Sequence, residues 1–270
     1  MNTDTETSLE SVTVKVELSA PDWQLRMTVS VPKTMQLKDL LPLARDLSDA
    51  VVNAESKTVA ESGKKISCRK GCGACCRQLV AISVIEAESL AQVVAAMPPE
   101  RQALVRARFA EAARRLEENG LLDRHDPGGD RSLLVKGCGS RQASLQELSR
   151  LYFKLRIPCP FLENESCSIY ADRPMVCREY HVTSPAERCG KLFEEPVDRI
   201  DMPIRLGDVL TRTAHKSMGT PAYSIPLVLS LEWSEAYGAS LNQSHDSIEM
   251  LEIMMTEIKR EYDKSLSDRS

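Results

Sequence analysis

The stretch CRKGCGACC, residues 68–76, places four thiols within nine residues of a 270-residue chain. Gly71 and Gly73 lie between the cysteines, and glycine gives the backbone the conformations that a tight loop needs. Such a loop can bring several thiolate sulfurs to about 2.3 Å from one metal ion. Because the side chains of adjacent residues diverge, Cys75 and Cys76 indicate either two metals or different roles for the two thiols. The stretch predicts a metal-binding loop.

A second cysteine-rich segment, residues 159–189, follows after 82 intervening residues (77–158). It contains CPFL at 159–162, CSIY at 167–170 and RPMVCR at 173–178, and its cysteines are Cys159, Cys167, Cys177 and Cys189. The spacings of seven, nine and eleven residues are loose for a zinc finger. Eight thiols could hold two four-ligand centres, and soft thiolates suit zinc and iron–sulfur clusters about equally. The ninth cysteine, Cys138, lies apart from both segments and is interpreted as a bystander thiol, with an exchangeable fourth metal ligand as the alternative.

Composition and charge narrow the classes of partner. No stretch approaches the roughly 20 apolar residues of a membrane span, and the acidic, polar residues 1–10 do not have the form of a secretory signal. We therefore expect a cytoplasmic protein, where unpaired thiols indicate metal or redox chemistry more often than disulfides. The 35 basic and 39 acidic residues give a net charge of −4, the wrong sign for binding phosphates or anionic lipid. Neither nucleic acid nor a membrane is an expected partner.

The rest of the chain has mainly helical patterns. Alternating apolar residues from Ser11 to Pro32 predict a small N-terminal β-hairpin. Apolar residues at three- and four-residue spacing predict a helix over 37–61, and Ser83 with Glu86 forms a capping-box pattern that starts a helix ending at Met97. Further helices are predicted at 100–119, 144–156, 206–217, 225–241 and 245–266.

These patterns predict a mainly α fold: a helical domain with cysteine-rich metal-binding loops and a small N-terminal β-hairpin. The hairpin occupies residues 1–34. The cysteine-cluster metal-binding domain spans 35–200, with a helical insert at about 78–157. A helical extension, 201–270, completes the chain.

The residues around the thiols resemble the CxxCxxCC cysteine-cluster family (YkgJ-like), described as a zinc- or iron-chelating domain. The order of the two segments and the CPFL, CSIY and RPxxCR stretches carry this resemblance, which covers residues 65–191. It implies a zinc or iron centre, the latter including a 4Fe–4S cluster. By position it implies the ligands Cys68, Cys72, Cys75, Cys76, Cys159, Cys167 and Cys177, and Cys189 resembles a trailing family cysteine. The first gap departs from the family pattern, with three residues instead of two.

Three functions are consistent with these motifs. The first is a metal-binding protein that chelates zinc or an iron–sulfur cluster through both segments. Some members of the wider group resemble flagellin lysine-N-methylases, which implies an iron–sulfur-dependent protein-modifying enzyme as the alternative. The G-x-G-x-x-G nucleotide-binding fingerprint is absent from the sequence. The third is an interaction module in which structural zinc shapes a surface for another protein.

Neighbouring side chains could adjust the centre. Arg173 and Arg178 flank Cys177, and a guanidinium near a thiolate lowers its pKa and donates a hydrogen bond to the sulfur. Alternatively, Arg178 pairs with Glu179 or covers the surface. His181 would supply a nitrogen ligand if residues 178–182 form one helical turn, although a lone histidine is usually not a ligand.

Overall fold

A computed structural model describes residues 11–20, 23–123 and 141–269 of the chain. The helices are α1 (Leu40–Glu61), α2 (Val84–Ala95), α3 (Pro99–Glu118), α4 (Arg141–Lys154), α5 (Met175–Glu179), α6 (Leu206–Met218), α7 (Ser230–Tyr237) and α8 (Ser247–Arg269). The strands are β1 (Ser11–Ala20), β2 (Trp23–Pro32), β3 (Thr34–Gln36), β4 (Ala81–Ile82), β5 (Leu162–Glu163), β6 (Ser166–Cys167), β7 (Ile225–Pro226) and β8 (Ser244–Asp246). The mainly α prediction is confirmed. Cys138 lies outside the described residues.

The predicted hairpin is formed by β1 and β2, which pair antiparallel from Ser11 opposite Pro32 to Ala20 opposite Trp23. Alternation turns one face of the ribbon inward, and Val16 is buried there. Val14 and Val29 pack on the main core from the same ribbon. The short strand β3 continues from the hairpin and pairs with β8, just before the last helix.

The capping-box prediction for α2 is confirmed in detail. The backbone N–H of Glu86 donates to Ser83 Oγ at 3.2 Å, and the backbone N–H of Ser83 donates to Glu86 Oε2 at 2.9 Å. The helix ends at Ala95, two residues before the predicted Met97. Pro99 is the first residue of α3, as its fixed φ favours.

The predicted helix over 225–241 is broken into shorter pieces. Ile225 and Pro226 form β7, which pairs with β4, and 3-10 turns precede and follow α7. Proline disfavours helical geometry in the residue before it, so the helix starts only at Ser230. The last helix begins at Ser247, two residues after the predicted His245, because β8 takes the residues before it.

One apolar cluster joins most elements, with α1 packed against α5 and α6 and with α6 packed against α8. Between α6 and α8 lies a group of paired charges, the ion cluster of Arg212, Lys216, Glu257, Arg260 and Glu261. The carboxylate of Glu257 is fully buried and bonds Arg212 at 2.6 Å and Lys216 at 2.5 Å. No helix in the described ranges combines the length and apolar character needed to cross a membrane.

Candidate metal centre

The first cysteine segment folds as two successive turns. The N–H of Cys72 donates to the carbonyl of Arg69 at 3.1 Å, so one turn spans the three-residue gap. Gly71 has a φ of +88° in this turn, a conformation that favours glycine. A second turn joins the N–H of Cys76 to the carbonyl of Gly73 at 3.0 Å. The longer first gap is thus accommodated by a glycine turn.

Gly73 brings the two cysteine segments into contact. A Cβ at this position would lie 2.7 Å from the carbonyl oxygen of Glu165 and 2.7 Å from Leu162 Cδ1. Both neighbours belong to the β5–β6 hairpin of the second segment, where Asn164 and Glu165 form a turn with positive φ. A side chain at residue 73 would therefore push the hairpin away from the first segment.

Direct hydrogen bonds also join the segments. The N–H of Cys159 donates to the carbonyl of Cys76 at 2.7 Å. Arg77 forms a two-pronged ion pair with Glu165, with N–O distances of 2.9 and 2.5 Å. Two segments that lie far apart in the sequence are therefore held together by backbone and side-chain contacts.

Cys177 lies on α5, a helix of five residues that is anchored from outside. Glu86 Oε1 accepts from the N–H of Met175 at 2.6 Å, so the carboxylate that caps α2 also binds the start of α5. Glu179, at the end of α5, accepts from the N–H of Leu206 at 2.8 Å and binds the start of α6. Two buried carboxylates thereby fix the position of Cys177, and burial raises the pKa of Glu179 to about 8.

Cys189 lies in a 3-10 turn, Ala186–Lys191, and is buried. The hydroxyl of Tyr180 donates to its sulfur at 3.9 Å, and Gln78 Nε2 donates to the Tyr180 hydroxyl at 3.4 Å. Gln78 lies two residues after the last cysteine of the first segment, so this chain of polar contacts reaches from one segment to the other.

All eight cysteines of the two segments line one space of about 140 Å³, here called the thiol cavity. Its thiol lining comprises Cys68, Cys72, Cys75, Cys76, Cys159, Cys167, Cys177 and Cys189. Leu79, Val80, Phe161 and Ile169 supply apolar walls. The structure thus places all eight cysteines that the sequence suggests as metal ligands around one cavity.

Cys75 interacts with thiols from both segments. A hydrogen bond to Cys76, together with burial, raises the pKa of Cys75 well above its usual range. Burial is also the main cause of raised pKa values around it, to about 12 for Cys159 and about 11 for Cys189. Charge on Cys75 adds to the raised pKa of Cys68, Cys159, Cys167, Cys177 and Cys189.

The donor set fits zinc or iron. Thiolates are the ligands that zinc and iron–sulfur clusters favour, and a cation among these thiols would offset the burial and mutual repulsion that keep them protonated. Within the described ranges no three His, Cys, Asp or Glu side chains already form a group that could hold one ion. The thiols surround a space and do not converge on a preformed point.

The two predicted arginines lie in different surroundings. Arg173 lines the thiol cavity, stacks 4.1 Å from the centroid of the Tyr170 ring, and its charge lowers the pKa of Cys68, Cys75 and Cys167 against the effect of burial. Arg178 instead donates to Asp49 at 3.1 Å and to the carbonyl of Ala171. Arg178 is not one of the described residues that line the thiol cavity.

The helical turn over 178–182, which was the condition for a His181 ligand, does not form, because α5 ends at Glu179 and Tyr180 has an extended ψ of 97°. His181 nevertheless lines the thiol cavity, and burial lowers its pKa.

Two contacts that position the site were not predicted from the sequence. One is the hydrogen bond of Gln78 to Tyr180, and the other is the bond between Glu86 Oε1 and the N–H of Met175. The sequence offered a signal for Gln78, which lies two residues after Cys76. It offered none for the bond of Glu86 to Met175, because the capping-box pattern predicts only the bonds at the start of α2.

Comparison with known proteins gives one family. Residues 67–196 match the family model CxxCxxCC, described as "Putative zinc- or iron-chelating domain". No curated protein matches the chain, and no solved structure does. The similarity to flagellin lysine-N-methylases stays a prediction.

Proposed function

Since residues 67–196 match the model of the CxxCxxCC family of zinc- or iron-chelating domains, we propose that both cysteine segments bind one metal centre in the thiol cavity. The observation that carries this proposal is that all eight thiols line the same space. The cavity holds several times the roughly 30 Å³ that one water molecule occupies in the liquid. This room, with eight donors, favours a centre of several metal ions, either an iron–sulfur cluster or a zinc–thiolate cluster.

The ligands in this proposal are Cys68, Cys72, Cys75, Cys76, Cys159, Cys167, Cys177 and Cys189. Cys75 is the central donor in this proposal, because it is electrostatically coupled to thiols of both segments. Arg173 supplies positive charge beside the thiolates and so favours their deprotonated form. Arg178 supports the same residues indirectly, because its Nε donates to the carbonyl of Arg173 at 3.2 Å.

Purification without oxygen, followed by analysis of metal and acid-labile sulfide, tests the proposal. We expect several equivalents of zinc, or iron with sulfide and visible absorption near 400 nm, together with retention of the fold. Cys75→Ser should lose most of this metal. Cys138→Ser is the matched control, because that cysteine lies outside both segments, and it should keep the wild-type content. A folded wild-type protein that binds neither zinc nor iron would overturn the proposal.

A further inference from the structure

The imidazole of His181 lines the thiol cavity with both ring nitrogens buried. The backbone of Arg178 is close enough to act on the pKa of the ring, and across the described ranges neither nitrogen has a hydrogen bond of good geometry. A buried polar atom left unsatisfied costs free energy, and native structures rarely retain one. The Arg178 backbone can serve one ring nitrogen only, so the other nitrogen is open to a bound ligand.

The backbone holds His181 firmly beside the cavity. Its carbonyl accepts from the N–H of Ile200 at 2.9 Å, and Val182 forms a β-bridge with Arg199. The carbonyl of Val182 also accepts from the N–H of Ser67 at 2.9 Å, directly before the first cysteine segment. Bonds on both sides therefore fix the position from which the ring enters the cavity lining.

Among the other polar groups of the lining, Arg173 also has an Nε without a hydrogen bond in the described residues, but a guanidinium is cationic and does not bind a metal, and two neutral side chains are already engaged. Gln78 and Tyr180 bond one another at 3.4 Å, and Tyr180 donates to the sulfur of Cys189. His181 differs from both because neither of its ring nitrogens bonds another side chain of the described residues.

We propose that one imidazole nitrogen of His181 binds the metal of the thiol cavity, which gives the centre mixed nitrogen and sulfur ligands. This inference rests on the proposed function. Imidazole is a good ligand for both zinc and iron. It is neutral, so it adds a donor without adding to the repulsion among the thiolates. In an iron–sulfur centre, a neutral ligand in place of a thiolate also raises the reduction potential.

Cobalt(II) is a suitable probe, loaded without oxygen into the full chain. Near-ultraviolet absorption from cobalt–thiolate charge transfer reports binding by the cysteines, and pulsed electron paramagnetic resonance reports a coordinated imidazole through its nitrogen coupling. We expect both signals in the wild-type protein. His181→Ala should lose the nitrogen coupling and keep the charge-transfer bands. His245→Ala is the matched control, because His245 lies on β8 and is not part of the cavity lining, and it should keep both signals.

His181→Gln preserves more of the side-chain volume, so it gives the same test with a folded protein if truncation to alanine disturbs folding. Wild-type charge-transfer bands without nitrogen coupling would overturn the role of His181 and leave the thiol centre standing. That role would equally be overturned if His181→Ala and His181→Gln both kept the wild-type coupling. Absence of the charge-transfer bands from the wild-type protein would count against the proposed function itself.

Discussion

The thiol cavity and the ion cluster between α6 and α8 both bury polar side chains, and they differ in how those side chains are satisfied. In the ion cluster, the buried Glu257 carboxylate bonds Arg212 and Lys216, and Glu261 bonds Arg212 at 2.8 Å. In the thiol cavity, burial raises the pKa of thiols such as Cys159, and neither nitrogen of the buried His181 ring bonds another side chain of the described residues. Opposite charges in the ion cluster compensate one another within the protein, whereas the uncompensated groups of the thiol cavity cost free energy that a bound ligand would offset.

Removal of the metal should have the largest effect on stability, and it tests most strongly whether the thiol cavity and the ion cluster are independent. A structural metal contributes on the order of 10 kcal/mol to folding. We expect chelation to lower the melting temperature and to speed amide hydrogen exchange in residues 67–80 and 159–190, while α6 and α8 exchange at their original rates. Hydrogen exchange with mass spectrometry measures both regions at once. Equal deprotection of α6 and α8 would show that the two regions are not independent.

Glu257→Gln, in the ion cluster, should produce the next largest loss of stability. It removes the buried counter-charge of Lys216 and leaves Arg212 with Glu261 alone, which costs up to about 3 kcal/mol. Chemical denaturation of the metal-loaded protein measures this loss. Glu252→Gln, an exposed position on the same helix, is the control and should change stability little. A change in metal content caused by Glu257→Gln would contradict the separation of the two regions.

Gly73→Ala tests the close approach of the two cysteine segments. The new methyl group would meet the Glu165 carbonyl oxygen and Leu162 Cδ1, both at 2.7 Å. We expect a loss of about 1–3 kcal/mol from this overpacking, together with weaker metal binding. Gly190→Ala is matched to it, because no atom lies within 4 Å of its Cβ position although Cys189 is adjacent. Competition with a coloured chelator measures the affinity, and equal affinities for the two variants would argue against the contact.

The pH dependence of stability should give the smallest effect. Burial raises the pKa of Glu257, but hydrogen bonds from Lys216 and Arg212 outweigh it and hold the pKa below its ordinary value of 4.5. A carboxylate with a lowered pKa stabilises the fold above its unfolded pKa and loses that contribution as the pH falls through the folded pKa. The stability difference between wild type and Glu257→Gln should therefore shrink as the pH falls below 4.5. Denaturation curves at pH 7 and at about pH 3.5 measure it, and a constant difference would contradict the assigned ion pairs.

The parts of the fold that local sequence determines were predictable. The start of α2 could be predicted because Ser83 and Glu86, which cap it, lie only three residues apart in the sequence. The hairpin followed in the same way from alternation along β1 and β2. The second bond of Glu86, to Met175, joins residues 89 apart, and nothing near either residue indicates it.

The cysteines illustrate the same limit at the candidate site. Their spacing and flanking residues indicated a metal, and the glycines indicated a tight loop. The contact of Gly73 with Glu165 depends on how two distant segments pack, so the reason for glycine at that position was not available from the sequence. The helical turn that was the condition for a His181 ligand does not form because α5 ends at Glu179, and the ring reaches the cavity from an extended segment instead.

The central claim is that both cysteine segments hold one centre, and the metal content of two single variants tests it most directly. Cys72→Ser removes a thiol of the first segment and Cys177→Ser removes one of the second. Each variant and the wild type would be purified without oxygen and analysed for bound zinc, iron and sulfide per folded chain. A shared centre predicts that either substitution depletes the same metal, so that both variants lose most of the total. If each variant lost only a separate share, with the two shares adding up to the wild-type content, the segments would bind metal independently and the claim would be contradicted.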